Sequence, residues 1–269
     1  MTTSTTVRRT ADKNLDARGP LGRWGVRALA LAFWLVVWQL AAWVIDARIV
    51  LVGPLEVAVR LAQLAATGEF WASVGVSLGR IALGLVLGVV AGVALAAVAS
   101  RSRVVRELLA PLVGALKAAP VASFVILVLL WVSSRHLSVI IAWIMAFPIV
   151  YANVLEGIEQ TDPQLLEMAD VFGVTAFERI RLIYVSQVLP YFRVGLSLAL
   201  GLSWKAGIAA EVIGLPDLTI GEHLYDAKVY LDTPDLFAWT VAIIVVSVVL
   251  EFVVSRALDS ALARWEARP

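Results

Sequence analysis

Three charged residues stand within otherwise apolar stretches of this chain: Arg80, Lys205 and Glu211. Lys205 is the most isolated, with no other charge from Leu200 to Ala210. A lysine near the centre of a membrane helix costs at least about 2.5–3.5 kcal/mol, so it needs a polar path, a partner or a route to the interface. In a path it would attract anions, and Trp204 and Glu211 on the same apolar run complete the candidate lining. Glu211 is six positions further on, about 240° around a helix, so the two do not pair directly along it. Arg80 and Glu211 fall near the ends of their apolar runs, where snorkelling competes with an outer gate or a docking contact. Other chemistry is thinly provided for. There is no cysteine, and His136 and His223 are too distant in sequence to suggest a metal pair. Both histidines fall in short connections, so no serine–histidine pair is expected across facing spans. No GxxxxGK[ST] loop occurs to cradle a nucleotide. The residues point to conduction with no cofactor in this chain, and not to an enzyme.

The elements that must position these residues are membrane helices. Hydrophobic residues make up 61% of 269 and charged residues 16%, against about 25% charged in an ordinary soluble domain. A span needs about 20 predominantly apolar residues, and six stretches qualify: Val26–Ile45, Val74–Ser100, Leu109–Val132, Leu137–Leu155, Phe192–Ile213 and Leu236–Val254. Pro120 and Pro148 fall inside the third and fourth and are expected to kink them. Basic residues gather on one side, in the N-terminal tail, Arg101–Arg106, Lys117, Arg179–Arg193 and the C-terminal tail, leaving Arg48, Arg60, Arg135 and Lys228 on the other. The positive-inside rule then puts both termini in the cytoplasm. The polar, basic first residues read as a cytoplasmic tail leading into an uncleaved span. The organisation expected is a tail over 1–25, a six-helix membrane domain over 26–257 and a second tail over 258–269.

Two connections are long enough to carry structure. Pro54–Glu69 alternates apolar and polar residues at helical spacing and predicts an amphipathic helix lying on the outer membrane surface. Glu156–Pro190 is the one sizeable cytoplasmic loop. There, Asp162-Pro163 predicts an N-cap and first helical residue ahead of Leu165–Phe172. Gly173 permits a turn, and a short basic helix over Ala176–Leu182 returns the chain to the membrane. Such a helix suits either the lipid headgroups or a groove in a cytoplasmic partner. Gly84, Gly88 and Gly92 form a ladder of small residues one turn apart, which predicts close helix packing within the chain or across a dimer.

The pattern Glu167-Met168-Ala169-x3-Gly173-x9-Ile183 resembles the cytoplasmic EAA loop of ATP-binding-cassette (ABC) importer permeases, with Val185-Ser186 where that family usually has Leu-Pro. Ser77–Gly84, Lys117–Ala122, Trp204-Lys205-Ala206-x3-Ala210-Glu211 and Leu262–Trp265 resemble further segments of permeases of the sulfonate, taurine and nitrate type. The resemblance implies a type I ABC importer permease fold, all-α, with six transmembrane helices in the bacterial inner membrane. It implies that Glu167, Met168, Ala169, Gly173 and Ile183 form a coupling helix for an ATPase subunit. The implied partners are two copies of that ATPase, which bind the ATP and magnesium, a second permease copy and an extracytoplasmic solute-binding protein. The implied cargo is a small organic or inorganic anion, with a vitamin precursor or other heterocycle as the alternative. An ion-coupled secondary transporter using Lys205 and Glu211 would leave the loop pattern unexplained and lacks the internal repeat such folds often show.

Overall fold

A computed structural model of the chain describes residues 20–266, with side chains described over 25–260. The first 19 residues of the expected tail, and the side chains of Leu262–Trp265, lie outside the described residues. Helix α1 spans Pro20–Ile45, α2 Pro54–Ala65, α3 Gly68–Arg101, α4 Arg103–Ala118, α5 Val121–Leu129 and α6 Ser134–Glu159. There follow α7 over Pro163–Val171, α8 over Ala176–Arg179, a π-helical turn over Ile180–Tyr184, and α9 over Val185–Gly214. The chain closes with α10 over Ile220–Val229 and α11 over Thr233–Glu266. No strand occurs among the described residues. Five helical stretches are long and apolar enough to cross a membrane, or six when α4 and α5 count as one broken span.

The centre of the bundle is α6, whose most apolar stretch is 67% buried. It packs against α3 on one side and α9 on the other. The glycine ladder makes the first contact possible, and it does so within the chain. A Cβ at Gly84 would sit 2.2 Å from the Val139 carbonyl oxygen, and one at Gly88 would sit 2.6 Å from Ala146 Cβ. At Gly92 it would come within 3.0 Å of Tyr151 N and Val150 Cβ. Missing side chains here let the α3 backbone lie directly on α6, where lipid supplies no hydrophobic drive and close packing must do the work.

Several expectations are corrected. The third apolar run is two helices meeting at a bend of 105°. Pro120 has no N–H to give and forces Ala119 into extended backbone (φ −78°, ψ 140°), so the helix ends there instead of kinking. In contrast, α6 passes Pro148 without a break in the helix. The fifth span begins much earlier than Phe192: Ala176 to Gly214 is one continuous helical stretch. The short basic helix is therefore its first turn, joined through the π-helical residues. Ser186 Oγ donates to the Leu182 and Ile183 carbonyls at 2.9 Å, and serine keeps the N–H that a proline would have lacked. Helix α11 continues to Glu266.

The amphipathic α2 packs on protein as well as facing outward. Val57 is buried, Leu61 and Leu64 pack on the cluster that contains Phe70 and Trp239, and Arg60 pairs with Asp235 at the start of α11. Leu55 and Val59 remain exposed. The connection from Gly214 to Thr233, read as a short loop, contains α10. Thr219 caps it by accepting from Glu222 N, and its N-terminus turns back into the bundle.

Candidate functional site: an exposed coupling loop and a lone lysine

At the end of the bundle where α6 joins α9, the chain folds into a stiff protrusion. Asp162 Oδ1 accepts from Gln164 N at 2.8 Å, with Pro163 as the first helical residue of α7, as its sequence predicts. The helix stops at Gly173, whose φ of +63° is the left-handed conformation that glycine adopts most cheaply. Val174 N donates to the Ala169 carbonyl at 2.9 Å and Gly173 N to that of Asp170 at 3.2 Å, the paired bonds of a Schellman cap. Arg179 reaches back to Asp170. Thr175 and Glu178 cap each other reciprocally, starting the next helix without slack.

On this frame the predicted residues divide by face. Ala169 and Ile183 are buried and hold the protrusion to its own bundle. Glu167 and Met168 are exposed. Sequence reasoning missed the larger apolar partners beside them: Val171, Phe172 and Phe177 are 83%, 78% and 73% exposed. In the sequence Phe172 is one member of the helical spacing and Phe177 one residue of a basic stretch, so neither stands out. An exposed apolar ridge on a doubly capped helix is a ready-made knob for a groove in another protein.

The residues proposed for a path are divided too. Trp204 is buried and its indole N–H donates to the Ile243 carbonyl at 3.3 Å, tying α9 to α11. Glu211 is fully buried and does not reach the interface. Ser77 Oγ donates to Glu211 Oε2 at 2.7 Å and accepts from Ile220 N at 3.0 Å, so one hydroxyl joins α3, α9 and α10. Gly221 lies so close that a Cβ there would be 2.3 Å from that of Glu211. Arg80, half-buried, keeps a guanidinium nitrogen enclosed by protein instead of extending it outward. His223 is no loop residue: it stacks on Trp239 at 4.7 Å and bonds Ser73 Oγ at 2.9 Å. Nothing local to Glu211 signalled Ser77 as its partner, since the two are 134 positions apart.

Lys205 alone faces outward. It makes no hydrogen bond or ion pair among the described residues, and the same face of α9 exposes Val194, Leu198, Leu202 and Ile213. No cluster of metal-ligating side chains occurs among the described residues.

An all-helical membrane bundle with a lone outward lysine and a rigid apolar protrusion at one end defines a membrane-spanning transport component. The chain belongs to the family of binding-protein-dependent transport system inner membrane components, matched over residues 84–266. This is the type I ABC permease fold, and the chain is an ABC importer permease. It is 28% identical over 239 residues to the putative aliphatic sulfonates transport permease protein SsuC of Bacillus subtilis, covering 88% of this chain and 85% of that protein. It is 25% identical over 264 residues to the taurine transport system permease protein TauC of Escherichia coli, covering 94% of each. The bicarbonate transport system permease protein CmpB of Synechococcus elongatus is 28% identical over 161 residues, 60% of this chain and 58% of that protein.

Proposed function

We propose that this permease imports a small anion delivered by an extracytoplasmic solute-binding protein, driven by ATP hydrolysis in two copies of a separate ATPase subunit. The observation that carries the reading is the protrusion around Glu167–Gly173, whose caps make it rigid and whose apolar ridge is left exposed. Rigidity matters because a helix that bends on docking transmits nothing to the spans behind it. A closing ATPase dimer pulls on α7, and the unbroken helical stretch from Ala176 to Gly214 carries that displacement to Lys205. ATP and magnesium sit in the ATPase, and the permease needs no cofactor of its own. Both termini lie in the cytoplasm, on the side of the protrusion, as the placement of basic residues supports.

The pathway requires a second wall. Lys205 points away from its own bundle, and lipid is the costliest neighbour for its charge. A second copy of the chain, presenting the same face of α9, encloses both lysines in one channel and gives it a positive lining. The permeases named for sulfonates and bicarbonate suit a cargo of that sign, and taurine, a zwitterion, still presents a sulfonate to it. The test is a thermal-shift screen of the solute-binding protein encoded beside this gene. Sulfonates, taurine, nitrate and bicarbonate are set against pyrimidines and flavins. Stabilisation by a small anion is the expected result; stabilisation by a neutral heterocycle alone overturns the anion assignment, and failure of every ligand together with absence of a neighbouring ATPase overturns the assembly.

A further inference from the structure

On the back of α9 lies a cavity of about 710 Å³ between α3, α6, the π-helical turn and the first turns of α9. Its walls include Val93 and Ala97 from α3, Val154 from α6 and Phe192 from α9. It is separate from the proposed path. Val185 and Leu189, which line it, lie about 160° around α9 from Lys205, so the two features occupy opposite faces of one helix. It sits at the end of the bundle that carries α7, since Arg101 is the last residue of α3 and Val185 the first of α9.

The polar groups at this cavity differ from their neighbours. Arg103, Arg106 and Arg179 have carboxylate partners in Glu107, Glu159 and Asp170. Arg101 and Tyr184 also line the cavity, and neither makes a side-chain hydrogen bond or ion pair among the described residues. An apolar groove, open to the surface at Val93, Ala97 and Ile180, with an unpaired guanidinium and a phenol matches an amphiphile carrying a negative head. Its volume falls within the roughly 300–1,000 Å³ common for small-molecule sites. At the level where a membrane helix ends, the abundant ligand of that chemistry is a phospholipid.

We propose that this cavity is a binding site for one anionic phospholipid of the membrane leaflet on the α7 side. An acyl chain fills the space between α3 and α9, while the headgroup phosphate accepts hydrogen bonds from Arg101 and Tyr184. The bound lipid touches Ile180 and Tyr184 of the π-helical turn, the segment joining the α7 protrusion to the long span. It therefore stiffens the route by which movement of α7 reaches α9. The site depends on membrane placement of the bundle and on neither the cargo nor the identity of the ATPase.

The test uses the full chain with any subunits that co-purify, in neutral detergent, titrated with phosphatidylglycerol or phosphatidylcholine and read by native mass spectrometry. The expected result is selective retention of phosphatidylglycerol, weakened about tenfold by Arg101→Gln, as loss of a charge-assisted bond implies. Ala97→Trp, which fills the groove, removes the retained lipid. Arg101 is exposed, so its variant folds whether or not the bulky one does. Undiminished retention in Arg101→Gln overturns the proposal. So does equal protection by inorganic phosphate of a thiol placed by Ala97→Cys, which is unique in a chain without cysteine. A disulfide between two copies through that thiol would show that a second subunit, and not a lipid, covers the cavity.

Discussion

Glu211 shows how a residue suggested by its charge acquires a different duty from its surroundings. A carboxylate inside a membrane bundle is costly unless its oxygens are met, and Ser77 and the start of α10 meet one of them. The same contact holds the α10 N-terminus against α3, because the Ile220 N–H ends on Ser77. Glu211→Ala removes the acceptor, opens space beside Gly221 and leaves the Ser77 hydroxyl without its carboxylate. The expected loss is about 1–3 kcal/mol, the cost of unsatisfying a buried group, read as a lower thermal midpoint in detergent. Glu211→Gln keeps an acceptor oxygen and should lose less; equal loss in both variants would show that the charge and not the hydrogen bond matters. The sequence showed the charge but not the pin. Asp162 and Gly173 were legible because each acts on backbone within a few residues, whereas the partner of Glu211 lies on another span.

Among elements, the same contrast decides which boundaries could be read. Long apolar runs announce themselves, and a proline such as Pro120 stops a helix wherever neighbouring helices do not rescue it. The continuity from Ala176 to Gly214 was hidden because Pro190 reads as the end of a loop, whereas the helix runs through it. Helix α10 escaped notice because it is short, and Pro216 and Asp217 before it read as loop. Element geometry also tells which side chains of α7 are free to dock. Phe172 is 78% exposed and Met168 51%, so neither supports the fold. Phe172→Asp is expected to weaken association with the ATPase at least about tenfold, the scale of an interface anchor, while leaving the thermal midpoint of the isolated permease unchanged. Ala169, buried against the bundle, supplies the contrast: Ala169→Asp should lower the midpoint itself. Pull-down of the ATPase alongside thermal unfolding separates the two effects, and intact association with Phe172→Asp would remove α7 as the docking element.

At the scale of the whole molecule, the bundle is incomplete as a channel. Its most buried helix, α6, is sealed between α3 and α9, so no path runs through the centre of one chain. The outward face of α9 then becomes functional only when something encloses it. In the proposed reading a second copy does so economically, because a two-fold arrangement would bring Lys205 of each chain to the same lumen and demand no new sequence. Two consequences can be checked in one protein that lacks cysteine. Leu202→Cys, one turn from Lys205 on the exposed face, should form an oxidative dimer, whereas a thiol at buried Ala199 should not. Lys205→Ala should cut anion uptake about tenfold or more in vesicles containing the assembled transporter, with the ATPase still bound; Lys205→Arg, keeping the charge, should restore much of it. Loss of uptake in Lys205→Ala without rescue by arginine would mean that the path recognises the ammonium itself. Unchanged uptake, with no disulfide at Leu202→Cys, would place this face of α9 against lipid and leave its lysine to snorkel.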